Sequence, residues 1–306
     1  MKRDLICLAD LTSQEIEEIL DLAGRLKREW CEGGNRPILA KKSLAMVFQK
    51  PSLRTRVSFE MGMYHLGGKA MYIGPSEIHL GQRESVPDVA RVLSRYVDGI
   101  MARVFSHDHI LQLAEHSPKP VINGLSDFNH PCQALADMLT IREHKGGFAD
   151  LKLAWLGDGN NVLHSLLFAS AKLGFDLTYA VPEGYEPLDS VVQLARQVAE
   201  ETGSCIVQTR DPVEAASGAD VLYTDTWTSM GQEGQQEERL KVFPPYQVNA
   251  DLVSKAKPDV IVMHCLPAHR GQEITDEVAD GIHSALLDQA ENRMHAQKAV
   301  LALLMG

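Results

Sequence analysis

The feature that most narrows the fold of this chain is an alternation in its second half. Strand-like apolar runs at Leu151 to Leu156, Asp176 to Ala180, Cys205 to Thr209, Val221 to Thr224 and Val260 to Met263 alternate with helix-like segments. Parallel neighbours need a long crossover, and a helix is what usually fills it, so the alternation predicts a parallel β-sheet with helices on both faces. In such sheets ligands bind beyond the carboxyl ends of the strands. Polar clusters stand at those positions: Gly157-Asp158-Gly159-Asn160-Asn161, then Asp225 to Gly231, then His264-Cys265-Leu266-Pro267.

The first half repeats the pattern. Thr12-Ser13-Gln14-Glu15 has capping-box spacing, and Ile16, Ile19, Leu20 and Ala23 follow at helical spacing, predicting a packing helix to about Trp30. Strands are expected at Ser43 to Phe48, Ala70 to Ile73, Gly99 to Val104 and Pro120 to Asn123, with a helix at Val86 to Tyr96. The polar stretch Pro75 to Ser85, which carries His79, reads as a surface loop. Lys145-Gly146-Gly147 is the best place for a domain boundary. The chain is thus read as α/β with two parallel-sheet domains, residues 1–145 and 146–285, followed by a C-terminal helix in 286–306 that packs back on the first domain.

Ser52-Leu53-Arg54-Thr55-Arg56 lies between an apolar strand and the start of a helical pattern, which puts Ser52 near an N-cap. Unpaired N–H groups and the positive end of the helix dipole make such a start an anion site, and two arginines add charge-assisted hydrogen bonds. A capped helix with two surface arginines fits the same residues. Arg103 ends an apolar strand, where a guanidinium is costly to bury unless it meets an anion; pairing with Asp98 or snorkelling is the other reading. At Asn129-His130-Pro131-Cys132-Gln133 a second strand-to-helix turn offers His130 as a donor to an oxyanion and Gln133 as both donor and acceptor, or simply a capped helix start.

In the second half, Asp225 supplies a carboxylate for a substrate ammonium. Cys265 becomes a thiolate only with cationic help, and neighbouring strand residues point to opposite faces, so a couple with His264 does not follow. Gly157-x-Gly159 begins like a dinucleotide fingerprint, but Val162 holds the third glycine position, leaving an NAD-type oxidoreductase as the minor reading. The glutamine- and glutamate-rich run Gly231 to Lys241 reads as solvated, part of a lid. Arg293, near the start of a helix expected at Glu291 to Leu304, is a further anion candidate. No metal site is expected: His107-Asp108-His109 places its histidines at i and i+2, and Cys265 and His264 lack paired ligand spacing.

Bulk properties bound the partners. A net charge of -11 over 306 residues argues against nucleic acid or a membrane surface as partner. Five scattered cysteines without a C-x-x-C pair fit a reducing compartment, and no apolar run is long enough for a signal peptide or membrane span, so a cytoplasmic location is expected.

Taken together these runs resemble the transcarbamylase family, on its ornithine-using side, over nearly the whole chain. Ser52-Leu53-Arg54-Thr55-Arg56 is similar to the family's S-T-R-T-R loop, His130-Pro131-Cys132-Gln133 to its H-P-x-Q motif and His264-Cys265-Leu266-Pro267 to its H-C-L-P motif; Asp225 with Ser229-Met230-Gly231 looks like the ornithine-type loop. The resemblance implies transfer of a carbamoyl group from carbamoyl phosphate to the δ-amine of L-ornithine, giving citrulline and phosphate in arginine biosynthesis or its reverse, with no cofactor. It implies a carbamoyl phosphate-binding first domain and an ornithine-binding second one. Ser52, Leu53 through its backbone, Arg54 and Thr55 would hold the phosphate, with Arg103 and Arg293 completing the pocket, and His130 and Gln133 the carbamoyl group. Asn161, Asp225, Ser229 and Met230 would bind ornithine, and Cys265 and Leu266 would lie between the two substrates. A residue like His79 would enter the site of a neighbouring subunit, which implies a homotrimer or a multiple of it. Two departures stand out: Gln49 where many relatives carry Glu, and Leu53 in place of the common Thr.

Overall fold

The computed structural model describes residues 2–229 and 231–306. These divide into two compact units, Met1–Leu139 with Glu291–Gly306, and Thr140–Ala290. The C-terminal residues from Glu291 therefore belong with the first unit, although their helix, Leu286–Met305, begins earlier than the sequence pattern suggests.

The described residues of the first unit form β1 (Ser43–Phe48), β2 (Lys69–Ile73), β3 (Gly99–Arg103) and β4 (Val121–Leu125), all parallel, in the order β2-β1-β3-β4. β1 and β3 are buried almost throughout, which is why they read as apolar runs without alternation. Their core partners include Val89, Ile110 and Leu113 from the helices. The helix Ser13–Cys31 starts on a capping box between Thr12 and Glu15 and buries Ile16, Ile19, Leu20, Ala23 and Leu26. The polar stretch expected as a loop contains a short helix, Pro75–Ile78, which Pro75 favours at its first position and the Glu77 carboxylate closes by accepting from Gly74 N–H.

The second unit contains β5 (Lys152–Leu156), β6 (Asp176–Ala180), β7 (Ile206–Thr209), β8 (Val221–Thr224) and β9 (Ile261–His264), again parallel, in the order β7-β6-β5-β8-β9. The fold is α/β with helices around both sheets. Each strand order reverses once. The chain leaves β1 toward β2 and returns to β3 on the other side; it leaves β5 toward β6 and β7 and returns to β8. The crevices at the carboxyl ends of β1/β3 and of β5/β8 are therefore the topological switch points, where loops part in opposite directions and leave room for a ligand.

Candidate active site

At the β1/β3 switch point Phe48 is paired with Arg103. Beyond β1 the chain turns through Gln49, Lys50 and Pro51 to Ser52, the N-cap of the helix Leu53–His65; Ser52 Oγ accepts from Thr55 N–H at 3.3 Å and donates to Thr55 Oγ1 at 3.1 Å. Thr55 is fully buried and receives Arg293 Nη2 at 3.3 Å, while Arg293 Nη1 donates to Gln133 Oε1 at 2.7 Å. Arg293 is thus a buried mid-helix residue that ties the first motif to the second, 160 residues away in sequence from Gln133.

His130 is buried and its pKa is pushed well below the ordinary histidine value, first by burial and then by the charges of Arg293, Arg103, Lys50 and Arg54. A buried imidazole with four cations near enough to lower its pKa suits a pocket that takes an anion. Arg103 is buried at the carboxyl end of β3, whereas Asp98 stands at the other end of that strand, bonded to Ser43 N–H at 2.9 Å, which separates the two residues by the length of the strand. Arg56 departs from the expected pair of anion-binding arginines: it is exposed, bonded to Glu60 at 3.3 Å and stacked over Tyr72. Leu53 is 74% exposed at the helix start. His79 is exposed at the C-cap of the short helix. Lys50, buried against the Phe105 ring, and Asp137, an acceptor for Gln133 Nε2 at 2.8 Å, escaped the motif reading; for Asp137 the signal was its i, i+4 spacing from Gln133.

His107 and His109 have structural partners in Ser126 and Gln49. Gln49 itself bridges, donating to Leu80 O and accepting from Phe105 N–H, both at 2.9 Å, a pair of roles that a glutamate could not fill.

At the β5/β8 switch point Asp225 is buried and accepts three hydrogen bonds. Its Oδ1 accepts from Thr226 N–H at 2.7 Å and from Cys265 Sγ at 2.8 Å, and its Oδ2 from Asn160 Nδ2 at 2.7 Å. Asn160 also caps the helix Asn161–Leu173, accepting from Val162 and Leu163 N–H. Of the two asparagines it is therefore Asn160 that orients Asp225, while Asn161, half-buried, opens the helix. The glycine turn serves chain packing: a Cβ on Gly159 would sit 2.2 Å from Pro187 N, and Gly159 N–H donates to Tyr185 O at 2.8 Å. The segment Tyr185–Pro187 occupies the close approach that a pyrophosphate takes in dinucleotide folds.

The two ring nitrogens of His264 meet Glu273 and Leu266, although one of them also lies within 4.8 Å of Cys265 Sγ. His264 Nε2 lies 3.1 Å from Glu273 Oε1, and its Nδ1 accepts from Leu266 N–H at 2.8 Å, holding Leu266 in a left-handed conformation. Asp225, His264 and Cys265 bring one donor atom each within 4.8 Å of the others, but a metal would have to displace His264 from Leu266 or Glu273.

The run read as solvated is exposed along most of its described residues, with Arg239 as the one buried exception. It contains the helix Gln236–Val242, and Arg239 on it is buried, bonded to Asp158 at 3.0 Å and to Trp227 O at 2.7 Å, over the rings of Tyr185 and Phe243. Burial raises the Asp158 pKa to about 6 even though Arg239 pulls it down. Both residues were missed because a single arginine in a charged run carries no sign of burial. Ser229 N–H donates to Gln232 Oε1 at 3.2 Å, and Met230 lies outside the described residues.

Two family models match the chain. Residues 3–143 match "Aspartate/ornithine carbamoyltransferase, carbamoyl-P binding domain" and residues 149–304 match "Aspartate/ornithine carbamoyltransferase, Asp/Orn binding domain". The chain is 57% identical over 304 residues to an anabolic ornithine carbamoyltransferase of Pyrococcus furiosus, covering 99% of this chain and 96% of that one. It is 56% identical, with the same coverage, to an ornithine carbamoyltransferase of Thermococcus kodakarensis. A solved structure of the Pyrococcus furiosus ornithine carbamoyltransferase superposes with a TM-score of 0.97 at 56% identity, over 100% of this chain and 97% of that one.

Proposed function

The chain belongs to the aspartate/ornithine carbamoyltransferase family, and from that premise we infer that it transfers the carbamoyl group of carbamoyl phosphate to the δ-amine of L-ornithine, giving L-citrulline and phosphate. A ureido group is more stable than a mixed anhydride of phosphoric and carbamic acids. The biosynthetic direction, toward citrulline and arginine, follows from that difference and from the anabolic name of the Pyrococcus relative.

The observation that carries the reading is neutral, buried His130 amid Arg54, Lys50, Arg103 and Arg293 at the β1/β3 switch point. In the proposed division of labour, the first unit binds carbamoyl phosphate. Ser52, the Leu53 N–H, Arg54, Thr55 and Arg293 take the phosphate; His130 and Gln133 take the carbamoyl group. The second unit binds ornithine through Asn161, Asp225, Ser229 and Met230, and Cys265 and the Leu266 backbone contact the reacting groups. The uncharged δ-amine attacks the carbamoyl carbon, a C–N bond forms, and the carbonyl becomes a tetrahedral oxyanion stabilised by Arg103, Thr55 and the His130 N–H. Collapse breaks the C–O bond to phosphate, which leaves with its charge matched by Arg54 and the helix start and takes up the proton that the amine gives up. Holding two substrates together and stabilising developing charge supply the acceleration, without a covalent enzyme intermediate or a cofactor.

The working assembly is proposed to be a homotrimer or a multiple of it, with His79 of one subunit reaching the carbamoyl phosphate of the next. Leu53, Val57, Met61 and Tyr64 lie at helical spacing along one face of their helix and are 37 to 74% exposed, an apolar stripe suited to another copy of the chain. No helix among the described residues is long and apolar enough to cross a membrane, and a cytoplasmic location is proposed.

A colorimetric citrulline assay with carbamoyl phosphate and ornithine tests the activity, with putrescine and N-acetylornithine as competing acceptors. Arg54→Gly should stay folded and lose turnover. Citrulline formation at a near-normal rate by that variant would remove Arg54 from the mechanism.

A further inference from the structure

Gln133 and Asp137 lie one turn apart on the helix Pro131–Lys145 and share a face. Both side chains are buried, with exposures of 1% and 0%. The Gln133 amide is held at both ends, Nε2 donating to Asp137 Oδ1 at 2.8 Å and Oε1 accepting from Arg293 Nη1 at 2.7 Å. A carboxylate only accepts and a guanidinium only donates, so an amide set between them has one orientation open to it. Turned by half a revolution, it would point N–H at N–H and oxygen at oxygen, an arrangement that costs most in a buried site. The chain of contacts continues from Arg293 Nη2 to Thr55 Oγ1 at 3.3 Å and from there to Ser52 Oγ at 3.1 Å, so the amide is registered against the helix start as well.

We propose that Asp137 is a positioning residue for carbamoyl phosphate. By anchoring Nε2 it fixes the plane of the Gln133 amide, so that the carbonyl oxygen, with one lone pair on Arg293, keeps the other for the substrate's carbamoyl NH₂. The proposal rests on the reading of Gln133 as a carbamoyl ligand. It requires that Asp137 act through Gln133 and not independently.

Steady-state kinetics of the full chain in two backgrounds separate these cases. In the otherwise native chain, Asp137→Leu, nearly isosteric but without an acceptor, is expected to raise KM for carbamoyl phosphate about tenfold or more, with kcat and KM for ornithine within about twofold. Asp137→Asn, which retains an acceptor oxygen, is expected to raise it three- to fivefold, or about that. With Gln133→Ala already in place, neither change should add more than about twofold. Equal factors in both backgrounds, or a loss confined to kcat, overturn the role of Asp137 while leaving Gln133 as a ligand. No rise in KM from Gln133→Ala alone overturns the reading of Gln133 and this proposal with it. Should Asp137→Leu fail to fold, the Asn variant in the same two backgrounds decides the matter.

Discussion

Cys265 Sγ donates to Asp225 Oδ1 across 2.8 Å, at the ends of two adjacent parallel strands. The carboxylate is thereby held from three sides, by the thiol, by Asn160 and by its neighbour's N–H. A thiol bonded to a carboxylate serves as a donor, since a thiolate there would meet like charge.

From this pair, Asp225→Asn is expected to raise KM for ornithine by about a hundredfold, the loss of a charge-assisted contact of about 3 kcal/mol, and to leave KM for carbamoyl phosphate within about threefold. Cys265→Ser, which keeps a donor to Asp225, should lose less activity than Cys265→Ala. Varying each substrate separately in the citrulline assay distinguishes these outcomes; equal activity of the two cysteine variants would dismiss the hydrogen bond as the reason for the thiol.

Arg239 meets Asp158 in the interior of the second unit and also binds Trp227 O. Arg239→Met leaves a carboxylate buried without its cation, a loss of about 3–5 kcal/mol that urea denaturation would register. Because Trp227 precedes Ser229, the same variant is expected to raise KM for ornithine. A variant as stable as the native chain would show the pair to be dispensable.

The departure at Leu53 is expected to be harmless. Its side chain is 74% exposed, and a helix start binds a phosphate through backbone N–H groups. Leu53→Thr should therefore keep KM for carbamoyl phosphate within about threefold, because an added hydroxyl there replaces no lost contact. A tenfold improvement would mean that the hydroxyl belongs to the pocket.

His65 and His295 give the first unit an acid-labile core. Burial, with Lys298 nearby, pushes His65 down to about 4 and His295 to about 3. Groups with depressed pKa values stabilise the native state fully above about 6.5, and that stability is lost as pH falls, because the unfolded chain takes up protons first. Each histidine should contribute about 2 kcal/mol to the stability lost between pH 7 and pH 5. Urea midpoints at the two pH values measure it, and His295→Gln should shrink the difference by about one histidine's share. An unchanged difference would show that His295 is not held neutral.

What local chemistry dictates was legible from the residues alone. The capping box at Thr12 and Glu15, the N-cap at Ser52, the apolar strands Ser43–Phe48 and Asp176–Ala180 and the helix Val86–Tyr96 depend on neighbours within a few positions, so their spacing announces them. The polar turns after strands were visible for the same reason. Burial of charge was legible only where an apolar strand or a family motif flagged it, as at Arg103 and Arg293; Arg239 in its hydrophilic run and Lys50 beside a proline look like surface residues until the chain is folded, because their burial depends on what packs above the side chain.

The sequence by itself determined an α/β chain of two βα series and the residue types that cluster after their strands. Only the tertiary structure decided which of those residues meet. The orders β2-β1-β3-β4 and β7-β6-β5-β8-β9 bring Phe48 beside Arg103 and Leu156 beside Thr224, the latter setting Asn160 and Cys265 against Asp225, while the return of the chain from Glu291 to the first unit sets Arg293 against Thr55. Strand order follows from how the crossovers pack, a property of contacts distant in sequence, and no local period carries it.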